Sequence, residues 1–288
     1  MDVELRHFRA MVAIAAEGTI TGAAARLRMT QPALSRTLRQ LEQRIGAHLV
    51  ERSTRHLRLT PAGEVFHGRA VSILAAVDDA LAEAAASPRP LRLGYVWAAL
   101  GEHTTPLLRA WRAAYPQVPL HVHRIDDRTA GLTRGDVDVA VLRTVPDDDR
   151  LQITVLYHER RHAVLPTGHP LADRAELDLA DLRHETVGLV ETKTATTSPD
   201  LWPAEVRPQA FVETNNVDEW LTLIAAGGAV GVTPAGTAHT HTHPGVRFVP
   251  LTGVAPVPVY LVWPRRPSHR RTPDLIDLAR RVVAAGPR

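Results

Sequence analysis

Cysteine is absent from all 288 residues. That excludes disulfides, thiol nucleophiles and thiolate metal ligands, and it suits a reducing cytoplasm, the compartment expected for this chain. Lysine occurs once, at Lys193, so 33 of the 34 basic side chains are arginine. Serine is scarce, at positions 35, 53, 72, 87, 198 and 268 only, and none sits in the Gly-x-Ser-x-Gly elbow of a serine hydrolase. No apolar run reaches the ~18 residues of a membrane-spanning helix. Met1 to Ala10 is charged and lacks a secretory core, so neither a membrane span nor an export signal is expected.

What is present is distributed unevenly. The net charge is +3, but residues 1–60 hold ten arginines against five acids, while the rest holds 24 basic and 26 acidic side chains. Coding bias accounts for arginine over lysine but not for positive charge gathered at one end. A basic head on a mildly acidic body fits a chain in which the head alone meets phosphate.

The head reads as a winged helix-turn-helix. Leu5, Phe8 and Val12 predict a first helix ending near Gly18. Thr21 is the expected cap of a second, Gly22 to Arg28, whose Ala23 and Ala24 let backbones approach closely. Thr30 is the expected cap of a third running to about Ile45, with Pro32 in the first turn where a missing N–H costs nothing. Leu34, Leu38, Leu41 and Ile45 make one apolar stripe; Pro32, Ser35, Arg36, Arg39 and Gln43 lie opposite, with Gln31 at the tip. Leu49–Arg52 and Leu57–Thr60 predict two short strands with Ser53–His56 as the wing tip.

Beyond Thr60-Pro61 a long helix is expected to about Ala86. Phe66, Ala70, Ile73, Val77, Ala80 and Ala84 repeat at spacings of four and three, a seam for pairing with a second helix of the same kind. Ser87-Pro88-Arg89-Pro90 ends it. Strands and helices then alternate, which predicts an α/β architecture. Strands are expected at 91–96, 119–124 and 137–142, the last two joined by a short helix, and a helix at 104–115. Chain switches near 160 and 262 predict two lobes. The expected division is a DNA-binding head over 1–60, a linker and dimerisation helix over 61–87, and a two-lobed domain over 88–288. Lobe I takes 91–160 and 264–288, lobe II 161–263.

The chain resembles the LysR-type transcriptional regulators over nearly its whole length. The resemblance is carried by Leu5-x-x-Phe8, Ala23-Ala24-x-x-Leu27, Thr30-Gln31-Pro32-Ala33-Leu34-Ser35, Leu41-Glu42, Gly46, Arg52 and Leu59-Thr60-Pro61-Ala62-Gly63. Looser matches follow at Tyr115-Pro116, Gly135-Asp136-x-Asp138 and Ala226-Gly227-x-Ala229-x-Gly231-x-x-Pro234. It implies a dimerising linker helix, an effector domain similar to periplasmic binding proteins, and assembly as a dimer of dimers. Two departures stand out. Val50 replaces a usual phenylalanine, which predicts a thinner wing root. Ala98 and Ala99 fill a loop where a serine or threonine often meets the ligand.

The expected DNA-contacting residues are Thr21, Thr30, Gln31, Pro32, Ser35, Arg36, Arg39, Arg52 and Arg55. Residues at the N-terminus of a recognition helix reach base edges in the major groove, where Gln pairs with adenine and Arg with guanine. Arg39 and Arg52 suit phosphates, and Arg55 at the wing tip suits a narrow minor groove. The expected effector contacts stand at strand ends and helix starts: Trp97, Ala98, Thr104, Arg143, Thr192, Lys193, Asn215 and Asn216. Arg143 and Lys193 would neutralise an anionic effector, and Thr104 would cap a helix whose N-terminus favours one.

No cofactor is expected. His239, His241 and His243 would share one face of an extended segment and could bind Zn²⁺, but a polar loop is the plainer reading, so no metal is assigned. Gly227–Gly231 follows a helix and enters a strand, the reverse of a dinucleotide loop. The expected function is a non-enzymatic regulator, sequence-specific for duplex DNA and governed by a small-molecule effector between the lobes. The expected assembly is a homotetramer, with RNA polymerase as a further partner and no membrane association. The alternatives are an enzyme, through a Schiff base at Lys193, or a solute-binding protein built on the same lobes.

Overall fold

The computed structural model describes residues 3–52, 57–85, 88–191 and 194–286, without the side chains of Arg52 and Glu83. The expected wing tip and its Arg55, together with Thr192 and Lys193, lie outside the described residues.

The head is three helices and a two-stranded wing. α1 (Leu5–Glu17), α2 (Ile20–Arg26) and α3 (Gln31–Ile45) close around Met11, Ile14, Ala23, Ala24, Leu34, Leu38 and Leu41. The cap of α2 is Thr19, whose hydroxyl accepts from the Gly22 amide at 3.1 Å, and not Thr21, which lies inside the helix. Thr30 holds the expected cap position of α3, yet its hydroxyl makes no capping bond. Ile45 leaves the apolar stripe: α3 outruns the core by a turn, and Ile45 is 38% exposed.

The wing, β1 (Val50–Arg52) against β2 (Leu57–Leu59), is tied to α3 by Glu42, whose carboxylate accepts from the Leu49 and Val50 amides at 2.8 and 3.3 Å. Val50 is buried among Leu49, Leu57, Leu59 and Phe66, so the smaller side chain still seats in the core.

The joint to the linker helix α4 (Pro61–Ala84) explains a sequence motif. Thr60 donates to the His48 carbonyl at 2.7 Å and accepts from the Gly63 amide at 3.0 Å. A Cβ on Gly63 would lie 1.9 Å from the Leu49 carbonyl oxygen, so only glycine fits there. The predicted seam of α4 divides. Phe66, stacked on Phe8 at 5.4 Å, and Ala70 face their own chain, whereas Ile73, Ala80, Leu81 and Ala84 face outward.

Arg89 joins linker to effector domain. It donates to Asp79 of α4 at 2.6 Å, to both oxygens of Asp138 at 3.1 Å, and to the Ser268 carbonyl at 2.7 Å. Burial opposes the charge on Asp138, but Arg92 and Arg89 outweigh it and hold the carboxyl below its usual range.

Two five-stranded sheets follow. In lobe I the order is β4 (Leu120–Arg124), β3 (Leu91–Tyr95), β5 (Val139–Leu142), β12 (Val257–Pro264), β6 (Leu151–Glu159). In lobe II it is β11 (Val246–Pro250), β7 (Arg161–Pro166), β10 (Val230–Pro234), β8 (Thr186–Val190), β9 (Ala210–Thr214). β3–β5 and β8–β10 form the parallel parts; the crossing strands β6, β7 and β12 pair antiparallel.

The chain crosses between lobes at Arg160 and again between Pro250 and Val257. β12 therefore belongs to lobe I, and lobe II ends before Val257 rather than at 263. The reason is long-range pairing: β12 lies between β5 and β6 with Val259 and Leu261 in the lobe I core. α5 (Thr104–Ala114) and α8 (Thr272–Ala285) cover lobe I, and α6 (Val217–Ala225) packs Trp220, Leu221 and Ile224 on lobe II. The short helix expected between β4 and β5 is absent. Ala130 and Gly131 take positive φ, and Asp127 holds the amides of Thr129 and Gly131 in successive turns.

Candidate DNA interface and effector cleft

On α3 the apolar stripe fixes which side chains are left for a ligand. With Leu34, Leu38 and Leu41 buried, Gln31, Pro32, Arg36, Arg39 and Gln43 are exposed. Arg36 has no ion-pair partner among the described residues, so its guanidinium is available to a duplex. Arg39 donates back to the Ser35 carbonyl at 3.3 Å. Ser35 does not share the outward face: it is 9% exposed, and its hydroxyl accepts from Gln31 at 3.2 Å. Thr21 and Thr30 are exposed on α2 and at the start of α3. Arg52 ends β1.

A cleft of about 850 Å³ opens between the lobes, a volume suited to a small organic molecule. Of the described residues expected to meet an effector, Trp97, Arg143, Asn215 and Asn216 line it; Ala98 and Thr104 do not. Ala98 is buried at positive φ against Gly236. The Thr104 hydroxyl accepts from the Leu100 amide at 3.0 Å and is no helix cap, since His103 holds that position.

Arg143, Asn215 and Asn216 already have partners. Arg143 makes a two-point pair with Glu159, Nε to Oε2 and Nη2 to Oε1, both 2.9 Å, and donates to the Trp97 carbonyl. Both side chains are 4% exposed. The anion expected for Arg143 is thus supplied by the protein itself. Asn216 caps α6 by accepting from the Glu219 amide at 2.9 Å. Glu219 accepts in turn from the Asn215 amide and from both asparagine side chains. The Asn215 backbone and side-chain donors hold its carboxyl below the usual range.

Trp97 bridges the lobes. Its indole N–H donates to Thr237 at 2.7 Å, and its ring stacks on His241 with centroids 4.9 Å apart. Burial, then the nearby Arg124, lowers the pKa of His241. The other two histidines of the run go elsewhere. His239 lies 3.5 Å from Glu102, and His243 accepts from the Gly245 amide at 3.1 Å. They share no face, and among the described residues no set of three such side chains is placed to hold a metal.

The cleft lining includes Thr233, a strand end where a ligand is expected; sequence reasoning missed Trp220, Thr129, Thr197, Arg134 and Asp127. Trp220 was hidden because its place facing Gly188 and Gly231 depends on strand order.

The comparisons with known proteins agree with this arrangement. Residues 5–64 match the bacterial regulatory helix-turn-helix proteins of the lysR family, and residues 84–284 match the LysR substrate binding domain. The chain is 34% identical over 292 residues to the "Uncharacterized HTH-type transcriptional regulator YnfL" of Escherichia coli K12, covering 95% of each protein. It is 28% identical over 295 residues to the HTH-type transcriptional regulator BenM of Acinetobacter baylyi, covering 98% of this chain and 97% of that protein. Full-length BenM superposes with a TM-score of 0.55 at 27% identity, over 98% of this chain and 97% of that one. A full-length OxyR variant from Pseudomonas aeruginosa has a similar fold, with a TM-score of 0.66 at 24% identity over 98% and 95% of the two chains. No helix among the described residues is long and apolar enough to cross a membrane.

Proposed function

The chain belongs to the LysR family of DNA-binding transcriptional regulators with an effector-binding domain, and from that premise we propose how its parts divide the work. Residues 1–60 read duplex DNA, 61–87 join two copies, and 88–288 sense a small molecule. The observation that carries the DNA reading is the face of α3 opposite Leu34, Leu38 and Leu41, where Gln31 and Arg36 stand exposed. In this reading Gln31, Pro32 and Arg36 meet base edges, with Ser35 orienting Gln31. Thr21, Thr30, Arg39, Arg52 and Arg55 meet the phosphate backbone and the flanking groove.

A homodimer through α4 is supported by Val65, Ile73 and Leu81, exposed at 66%, 39% and 64%. Two dimers form the tetramer that contacts DNA and RNA polymerase in the cytoplasm. The effector sits in the cleft with its apolar body against Val96, Trp97 and Trp220 and its polar groups toward Thr129, Thr197 and Thr233. Asn215 and Asn216 line the same cleft, and Thr192 and Lys193 remain proposed effector contacts. An anionic group on the effector would have to displace Glu159 from Arg143 or pair with a rim cation such as Arg128. Binding that favours one arrangement of the lobes shifts the spacing of the heads and so promoter occupancy.

Genomic footprinting tests the DNA reading: discrete protected sites are expected, and uniform coverage contradicts it. A metabolite thermal-shift screen on the full chain tests the cleft. A stabilising compound should lose its effect when Thr197→Val and Thr233→Val are introduced.

A further inference from the structure

The cleft has a wall that does not come from the effector domain. Ala15 and Ala16, near the end of α1, line it together with the Asp126–Arg134 loop and Pro146–Asp148. Beside them, Arg26 of α2 reaches across to lobe I, with Nη2 2.7 Å from Asp136 Oδ1 and Nη1 3.3 Å from Glu17 Oε1. Asp136 is also in ionic contact with Arg134 Nε at 2.8 Å, and Arg134 Nη2 lies 3.1 Å from Asp127 Oδ2. Asp127 in turn holds the turn that carries Thr129. A continuous line of alternating charges therefore runs from the helix-turn-helix to the floor of the cleft. Along α4, Arg150 donates to Glu64 at 2.6 Å and lobe I packs Gly135 against Val71, so the linker helix that carries the head is held against the same lobe.

This arrangement bears on DNA. The first helix of a helix-turn-helix motif crosses the phosphate backbone, where an arginine at its end would pair with phosphate. In the docked head that arginine is taken by Asp136, whose carboxylate also repels an approaching polyanion.

We propose that the DNA-binding head is a movable third wall of the effector cleft, latched by Arg26–Asp136 and released when duplex phosphates claim Arg26. The inference rests on the cleft being the effector site. A ligand that extends to Ala15 and Ala16 contacts the head directly. Coupling between effector and DNA then follows from shared contacts, and by linkage it is reciprocal.

The cysteine-free chain allows a clean test. Ala16→Cys places a single thiol on the shared wall, with Ala15→Cys as a second reporter should the first perturb folding. Ala175→Cys, at an exposed bend of lobe II, is the open reference. Modification by a thiol reagent is followed in the full-length protein. The thiol on the shared wall should react more slowly than the reference thiol on lobe II. Asp136→Asn should speed it about two- to five-fold, the range for a partly exposed ion pair. Excess random-sequence duplex at low salt should do the same, and neither should alter the reference. Equal rates at the two thiols, or no response to Asp136→Asn, would overturn the docking. Duplex binding is scored by gel shift in the same samples. A protein that shifts DNA while its shared-wall thiol stays slow remains a regulator, but the latch is refuted.

Discussion

The recognition helix and the cleft hold their polar side chains in opposite conditions. On α3, Gln31 and Arg36 face solvent with little claim on them from the rest of the chain. In the cleft, Arg143 is bound to Glu159, and Asn215 and Asn216 are bound to Glu219. The first surface is open to a polyanion that brings its own charge, because exposed cations lose little hydration until counterions are released. The second is already satisfied: the buried Arg143–Glu159 pair is compensated and the more exposed Asn215, Asn216 and Glu219 bind one another, so a ligand there must use what remains or exchange partners. A DNA site can thus be assembled from unpaired surface groups, whereas an enclosed site is satisfied first by its own protein.

Five substitutions, in four tests, sharpen or break that contrast. The largest effect is expected from Glu159→Ala, which leaves Arg143 buried without its partner and should cost about 3–5 kcal/mol in urea unfolding. Arg36→Ala should change stability by less than about 0.5 kcal/mol. Similar losses for the two would erase the distinction.

His67 comes next, on α4 where linker and lobe I meet. Burial first, then Arg150, pushes its pKa from 6.5 down to about 4. Above pH 6.5 the ring is neutral in both folded and unfolded chains and nothing is lost. As pH falls from there towards 4, the unfolded chain takes up the proton first, and stability drops by up to about 3 kcal/mol. His67→Gln should flatten the pH profile of the urea midpoint across that window; an unchanged profile would assign the acid sensitivity elsewhere.

Third, Arg39→Ala should weaken binding to all duplexes alike and reduce the slope of log K against log salt by about one, as for a single lost phosphate contact. A loss confined to one sequence would make Arg39 a base reader. The smallest effect belongs to Asn216→Ala, which removes the cap of α6 and should cost about 1 kcal/mol by the same unfolding assay. No cost would mean that Glu219 alone satisfies the helix start.

The contrast also explains what could be read from the residues in order. The head was legible because its signals are local: a 3.6-residue period in α3, Gly18 and Gly46 at positive φ where helices end, and Thr60-Pro61-Ala62-Gly63 at the joint. Even there, two threonines in one short segment misplaced the cap of α2, and Ser35, next to Leu34 on the helix, is buried with its hydroxyl bonded by Gln31. Strands and helices of the effector domain were visible in their alternation. A return of β12 to lobe I could be read as an option but not fixed, and the boundary at 263 missed it, because its membership is decided by pairing with strands far earlier in the chain. The Arg143–Glu159 pair bridges two strands separated by β12 and leaves no local trace. Asn216-Val217-Asp218-Glu219 did carry one, the spacing of a helix cap, and read that way it would have removed both asparagines from the free polar groups of the cleft.

The central claim is that α3 reads the duplex through its exposed face. The most direct measurement is fluorescence anisotropy of a footprinted DNA site titrated with the parent chain and with the Gln31→Ala/Arg36→Ala double variant at one fixed salt concentration. The claim requires the double variant to lose its preference for that site over random duplex while its unfolding midpoint stays at the parental value. A folded double variant that occupies the site as tightly and as selectively as the parent would contradict it.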